Sequence, residues 1–259
     1  MPHVPIDTGA AAIALIDSFR LLSPALTQGW VREQPGVLAV VTGVGESTLN
    51  VVWVHDVEVA SSDVANLLDA VAATGLPHCL QFRPGSAPQL DRLAAQRGMT
   101  AEDGIPLMVL DDASALSPAA RTDALVIRQL APEEAPLHAL TAAPGFGAPV
   151  ELFLGLITPQ VLSLPGVRCY LGEVDGQAVS TCVGVTFDAF VGIFNVATPP
   201  EHRGRGYGGA VTARAIADGV AAGATCSWLQ ASPSGLPVYA RLGFRTVESW
   251  HCWTAAPAA

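Results

Sequence analysis

The sequence predicts an α/β protein made of two copies of one strand–helix unit, and three observations carry that expectation. Short β-branched runs alternate with amphipathic stretches along the chain, the pattern of sheet and crossover helix. The two halves end alike: NVVWV at 50–54 and IFNVA at 193–197 each precede a helix, and LAAQRGM at 93–99 parallels VYARLGF at 238–244. Between them lies DDASALSPAART at 111–122, a small, polar, Pro-containing segment that reads as a linker. The expected division is 1–116 and 117–259.

In the first half, strands are expected at 37–43 and 50–55, a helix at 63–73, a strand at 78–82, a helix at 87–97 and a strand at 105–110. In the second half, ALVIRQL at 124–130 reads as a strand, and 132–140 and 149–164 as helical stretches with breakers between them. A hairpin follows: strands at 168–174 and 178–187 flank Asp175-Gly176, a pair suited to a tight turn with positive φ. After a turn at Asp188, a strand at 191–197 leads into a Gly-rich loop and a helix from about 208 to 222. A short buried strand at 225–230, a helix at 236–242 and a strand at 244–253 complete the chain.

Composition narrows the function classes. Half of the 259 residues are apolar and 14% are charged, enough for a sizeable core and too apolar for disorder. No apolar run reaches membrane-spanning length, and the N-terminus lacks the basic start of a secretory signal, so a cytoplasmic protein is expected. A net charge of −10 argues against nucleic acid and anionic membranes as partners. All thirteen basic residues are Arg, which excludes any mechanism needing a catalytic Lys. The charge is uneven: residues 1–120 sum to −8 and residues 121–259 to −2. The five cysteines (79, 169, 182, 226 and 252) are scattered and form no CxxC pair, so neither a metal site nor a disulfide framework is expected.

The segment NVATPPEHRGRGYGGAVTARAIADG at 195–219 is the most informative. A strand meets a Pro-Pro break, then Arg203, Gly204, Arg205, Gly206, Tyr207, Gly208 and Gly209 open a long helix. Glycines at a strand-to-helix turn let several backbone N–H groups point into one concavity, and the helix N-terminus adds unsatisfied donors and positive dipole. That is a diphosphate site built mostly from backbone. A P-loop needs GxxxxGK[ST], which a chain without Lys cannot supply. Gly204, Gly206 and Gly209 spell GxGxxG, but the acidic residue expected about twenty positions later in a dinucleotide fold is missing from 225–230.

RGRGYG resembles the [Q/R]-x-x-G-x-[G/A] pyrophosphate loop of the GNAT superfamily of acyl-CoA-dependent N-acyltransferases. LQASPSGLPVYARLGF at 229–244 is similar to that superfamily's second block, where a Tyr precedes Gly-Phe. The resemblance covers roughly 124–253, with the N-terminal half similar to a degenerate copy without the loop. It implies a mixed, mostly antiparallel sheet with parallel, splayed central strands flanked by helices. Acetyl-CoA would serve as acyl donor to a primary amine, which would attack the thioester carbonyl directly within a ternary complex and displace the thiolate. In this resemblance the donor lies between strands 193–198 and 225–230, along the backbone of Val196, Ala197 and Thr198, with its diphosphate on Arg203 through Gly209. Tyr239 takes the position of the general acid that protonates the departing thiolate, and Ser232 a position that contacts the pantetheine.

The base that deprotonates the amine is not named by the sequence; Glu151, Glu173, Asp188, Glu201 and His251 are titratable groups, each with a structural or surface reading. Many relatives add a seventh strand after the strand that follows Gly-Phe, and no such strand is expected here. The missing wall falls to the N-terminal half or to a second subunit, which would make a homodimer. The rival readings are a non-catalytic acyl-CoA sensor or interaction protein of the same fold, and a nicotinamide-linked oxidoreductase.

Overall fold

The protein is described here by a computed structural model, over residues 6–26, 29–86, 88–117 and 124–256. These residues form two units. One gathers the described residues of 8–107 and 247–256, the other those of 6–7 and 108–246. The linker expected at 111–122 lies partly at 118–123, outside the described residues, as does Ala87 at the expected start of a helix.

The first unit begins with α1 (Thr8–Leu22) and β1 (Trp30–Gln34), followed by β2 (Val37–Val41), β3 (Asn50–Val54), α2 (Ser61–Ala72), β4 (His78–Phe82), α3 (Gln89–Gln96) and β5 (Thr100–Leu110). The reading of the sequence contained neither α1 nor β1. Half of the buried residues of α1 are Ala, which gives little contrast between faces, and β1 carries Arg32 and Glu33 on a half-exposed strand. Strands β1, β2 and β3 pair antiparallel, and β3 and β4 pair parallel with α2 as the crossover. In α2 the apolar Val64, Leu67, Leu68 and Val71 recur at helical spacing and are all buried. Strands β2, β3 and β4 are buried along their whole length, as their unbroken apolar runs require. The parallel pair stays in register to its last residues, from Val51 beside Cys79 to Val54 beside Phe82.

The second unit runs through β6 (Val126–Gln129), α4 (Ala135–Phe146), α5 (Val150–Leu156), α6 (Pro159–Leu162), β7 (Val167–Val174), β8 (Gln177–Phe187), β9 (Phe190–Ala197), α7 (Tyr207–Ala221), β10 (Cys226–Gln230) and α8 (Leu236–Arg241) to β11 (Arg245–Ala255). The helical stretch expected at 149–164 is two helices. Thr158 breaks it, its hydroxyl accepting from the Val161 N–H at 3.2 Å with Pro159 at the first helical position. Strands β6 to β9 pair antiparallel in sequence order, and β9 pairs parallel with β10 across α7. The β7–β8 hairpin turns on Asp175 and Gly176, with φ of 51° and 77°, as that dipeptide predicts. Only Arg245 and Thr246 of β11 belong to this unit; from Val247 the strand is part of the first unit, within which residues 251–255 pair antiparallel with β4. The core of the second unit packs Tyr170, Ile193, Val211, Leu229, Tyr239 and Phe244 together.

All five cysteines are free and buried. Among the described residues no cluster of His, Cys, Asp and Glu forms a metal site, and no helix is long and apolar enough to cross a membrane.

Candidate active site

The site starts where two parallel strands stop pairing. Strands β9 and β10 match Phe190 with Cys226, Val191 with Ser227 and Gly192 with Trp228, and their pairing ends there, although the strands continue to Ala197 and Gln230. Two local features accompany the parting. The Trp228 indole lies across Gly192, where an added Cβ would sit 2.6 Å from the ring, and meets Phe194 edge-on at 5.2 Å. On its other side β9 bulges: Thr181 faces Ala197 while Val183 faces Phe194, so β9 spends one more residue than β8 on this step. Asn195 absorbs it with a left-handed φ of 48°, a conformation Asn tolerates better than a β-branched residue. Val196, Ala197 and Thr198 thus lie beyond the last rung shared with β10. Their other contacts hold the strand end: the Ser180 hydroxyl donates to Ala197 O at 2.9 Å and lies 3.0 Å from Thr198 Oγ1.

The Gly-rich turn follows at once. Gly204 and Gly206 take φ of 75° and 81°, and Gly206 is the N-cap of α7. Positive φ at alternate residues, then a helix start, turns successive N–H groups to one side. The N–H groups of Tyr207, Gly208 and Gly209 open α7, where helix geometry offers them no carbonyl. Small residues matter for packing too. A Cβ on Gly208 would meet Thr198 Oγ1 at 3.3 Å, and Gly209 is buried beside Val238 of α8. The turn, the end of β9 and α8 are therefore neighbours.

The two arginines of the turn have different situations. Arg203 is occupied: Nε donates to Thr198 O at 3.1 Å, Nη2 to Gly145 O at 2.6 Å, and its own N–H to Pro200 O at 3.3 Å. It braces the end of α4 against the end of β9. Arg205 is exposed and makes no hydrogen bond or ion pair among the described residues.

Tyr239 sits on α8, 9% exposed, its ring edge-on to Phe244 at 6.0 Å. Its hydroxyl has no hydrogen-bond partner among the described residues. Burial first, and the nearby Cys182 second, raise its pKa above the ordinary tyrosine value, so the phenol keeps its proton at neutral pH. A Cβ on Gly235 would lie 2.9 Å from the Tyr239 ring, so the bare glycine makes room for it. Ser232 opens the same helix: its Oγ accepts from the Gly235 N–H at 3.2 Å and lies 3.2 Å from Ser234 Oγ.

The titratable groups without an assigned role separate plainly. Glu173 accepts from Arg128 at 3.0 Å. His251 lies in the first unit, 3.3 Å from Asp91 and stacked on Phe82. Asp188 forms a turn with φ of 47°, and Glu201 and Glu151 are exposed. Gly192, Asn195 and the brace made by Arg203 escaped the reading of the sequence. A Gly and an Asn inside an apolar strand were the available signal for a bulge and a close approach.

An α/β sheet with a parting parallel pair, a Gly-rich turn and a crossover helix defines the GNAT fold, the fold class expected from the sequence. Residues 165–246 match the family model described as "Acetyltransferase (GNAT) domain". A GCN5-related N-acetyltransferase from Kribbella flavida superposes with a TM-score of 0.72 at 19% identity, covering 98% of each chain. One from Sphaerobacter thermophilus gives 0.60 at 17% identity over 86% of this chain and 81% of its own. A tandem GNAT protein from the clavulanic acid biosynthesis pathway gives 0.56 at 15% identity over 96% and 88%. At these identities the likeness is one of fold. Comparison with curated proteins returns no match.

Proposed function

We propose that the protein transfers an acetyl group from acetyl-CoA to a primary amine, by direct attack within a ternary complex. The observation that carries this reading is the parting of β9 and β10 immediately before the Gly-rich turn. Residues 193–198 offer an extended backbone edge to a pantetheine arm, and the turn at 204–209 offers N–H donors to a diphosphate. The residues fit such a donor: Gly204 and Gly206 hold φ values that side chains resist, and Gly208 lies against Thr198 with no room to spare. Coenzyme A supplies an activated thioester.

The chain supplies the rest. A backbone N–H within Val196, Ala197 and Thr198 orients the acyl carbonyl and stabilises charge developing on its oxygen. The Tyr239 hydroxyl, protonated at neutral pH and without a hydrogen-bond partner among the described residues, holds the proton for the leaving sulfur. Arg203 keeps the strand end in place rather than contacting phosphate through its side chain. The 1–116 half serves as a degenerate copy: β3 and β4 pair to their ends, so they leave no slot, and no Gly-rich turn follows β3. Five free, buried thiols accord with a reducing cytoplasmic setting.

Isothermal titration of acetyl-CoA, followed by a thiol-release screen over amines, tests the reading. Binding in the submicromolar to tens-of-micromolar range, about −6 to −8 kcal/mol, with turnover of at least one amine is expected. Gly206→Glu should abolish binding. Binding without turnover across a broad panel would replace the enzyme by an acyl-CoA sensor, and no binding by the wild-type protein overturns both.

A further inference from the structure

Two helices stand beside the end of β9. The last turn of α4 lies against it: a Cβ on Gly145 would sit 2.9 Å from Ala197 Cβ and 3.1 Å from Thr198 N. Phe153 of α5 is buried in one apolar cluster with Ala139, Ala142, Ala143 and Ala197. Phe146 stacks on Phe153, with ring centroids 5.3 Å apart, and is itself 51% exposed. Leu154, the next residue of α5, is 43% exposed. A single exposed apolar side chain needs no explanation. Here apolar side chains continue from Ala197 through Phe153 to Phe146 and the surface, and contiguous apolar surface marks a place where something binds. Phe146 is carried by a helix, not by a loop: Gly147 ends α4 with φ of 66°, its N–H donating to Ala143 O. We infer that the acceptor is a monoamine with an uncharged, apolar body, and that Phe146 is the side chain that selects it. The inference rests on the acyl-transfer reading above.

What the two helices lack supports it as much as what they carry. Residues 135–156 contain three polar side chains, His138, Thr141 and Glu151. His138 and Thr141 are buried, so Glu151 alone is exposed. A polycationic amine would find one carboxylate along this wall. A sugar amine would lay its hydroxyls on surface that cannot hydrogen-bond them, which costs free energy. An apolar body meets no such cost. Apolar surroundings also disfavour an ammonium and favour the neutral amine, the form that attacks. The attacking nitrogen forms a C–N bond to the thioester carbon. The C–S bond breaks with its electron pair on sulfur, and the sulfur takes the Tyr239 proton. The surplus proton of the nitrogen leaves to water, and Tyr239 regains its own from water.

The test measures kcat and KM by thiol release with 2-phenylethylamine, ethylamine and spermidine, using the full-length protein and Phe146→Ser. The first two amines differ only by a phenyl ring. Wild-type protein should prefer 2-phenylethylamine to either of the others by about tenfold or more in kcat/KM, the effect of burying roughly 60 Å² of apolar ring. Phe146→Ser should raise KM for 2-phenylethylamine about fivefold or more, and leave kcat and both ethylamine constants within about twofold. Equal kcat/KM for 2-phenylethylamine and ethylamine, a preference for spermidine, turnover of polar amines alone, or equal losses for both amines in the variant overturns the inference while the acyl-transfer reading stands. Sedimentation of both proteins distinguishes a second copy as occupant: a dimer that Phe146→Ser turns into monomers with amine preference unchanged makes this a self-association face and overturns the inference too. If acetyl-CoA binds and no amine of a broad screen turns over, the acyl-transfer reading fails and this inference fails with it. The comparison of amines on unaltered protein needs no variant to fold.

Discussion

Acidification from pH 7 to pH 5 should cost this protein about 2 kcal/mol of stability through one side chain, His138. The residue is on α4 and is fully buried. Its Nδ1 lies 2.8 Å from Thr181 Oγ1, whose own hydrogen goes to Tyr170 O at 2.9 Å. Thr181 therefore accepts, His138 carries its hydrogen on Nδ1, and Nε2 is left as a bare lone pair with no partner among the described residues. A second proton would place a charge beside the Phe153 ring with no carboxylate acting on it among the described residues, and burial pushes the imidazole pKa down to about 4. The unfolded chain titrates near the ordinary value of about 6.5. Below that value the unfolded state takes up a proton that the folded state refuses, so stability falls with pH. The loss levels off below the folded pKa, at about 3 kcal/mol in total. The assay is urea unfolding of the full chain at several pH values between 7 and 4, for wild type and His138→Gln. The carboxylates titrate in both proteins and cancel in the difference. The variant should be less stable at pH 7 and should lose about 2 kcal/mol less than wild type on going to pH 5. Parallel pH profiles for the two proteins, or an imidazole resonance of His138 titrating near 6.5 in the folded state, would refute the reasoning.

Other substitutions probe the site and its supports. Tyr239→Phe should lower kcat by about 10²-fold or more while acetyl-CoA affinity and unfolding midpoint stay close to wild type, since the lost hydroxyl has no internal partner; an unchanged kcat in steady-state assays would remove the acid role. Gly192→Ala places a methyl 2.6 Å from the Trp228 ring and should cost about 1–3 kcal/mol in denaturant unfolding, with weaker acetyl-CoA binding as the strands shift. Asn50 is buried in the first unit, its amide donating to Val44 O, Glu46 O and Pro77 O at 2.8–3.1 Å while Oδ1 accepts from the Thr42 N–H at 3.1 Å. Asn50→Ala strands several buried backbone groups, so a loss of about 2–4 kcal/mol is expected in thermal or urea unfolding.

What was legible in the sequence is what the backbone decides over a few residues. Asp175-Gly176 pointed to a tight turn, and the Gly-rich run to a helix opened through positive φ, which Gly204 and Gly206 take. The apolar spacing of Val64, Leu67, Leu68 and Val71 marked one buried helical face. The two GNAT blocks, RGRGYG and YARLGF, pointed to α7 and α8 because their chemistry needs those residue types locally. The tertiary structure decided everything that depends on a distant partner. Gly192 and Trp228 are 36 positions apart, and only their pairing puts an indole over a glycine just where the strands part. Arg203 reads from its neighbours as part of a diphosphate turn, and only the fold shows that its guanidinium also donates to Gly145 O, 58 positions away. The apolar run ending at Trp253 announced a strand but not that its last residues would lie beside β4. Backbone preference is a local energy and can be read along the chain. Pairing and side-chain occupancy are settled by which buried surface completes the core, and that exists only once the chain has folded.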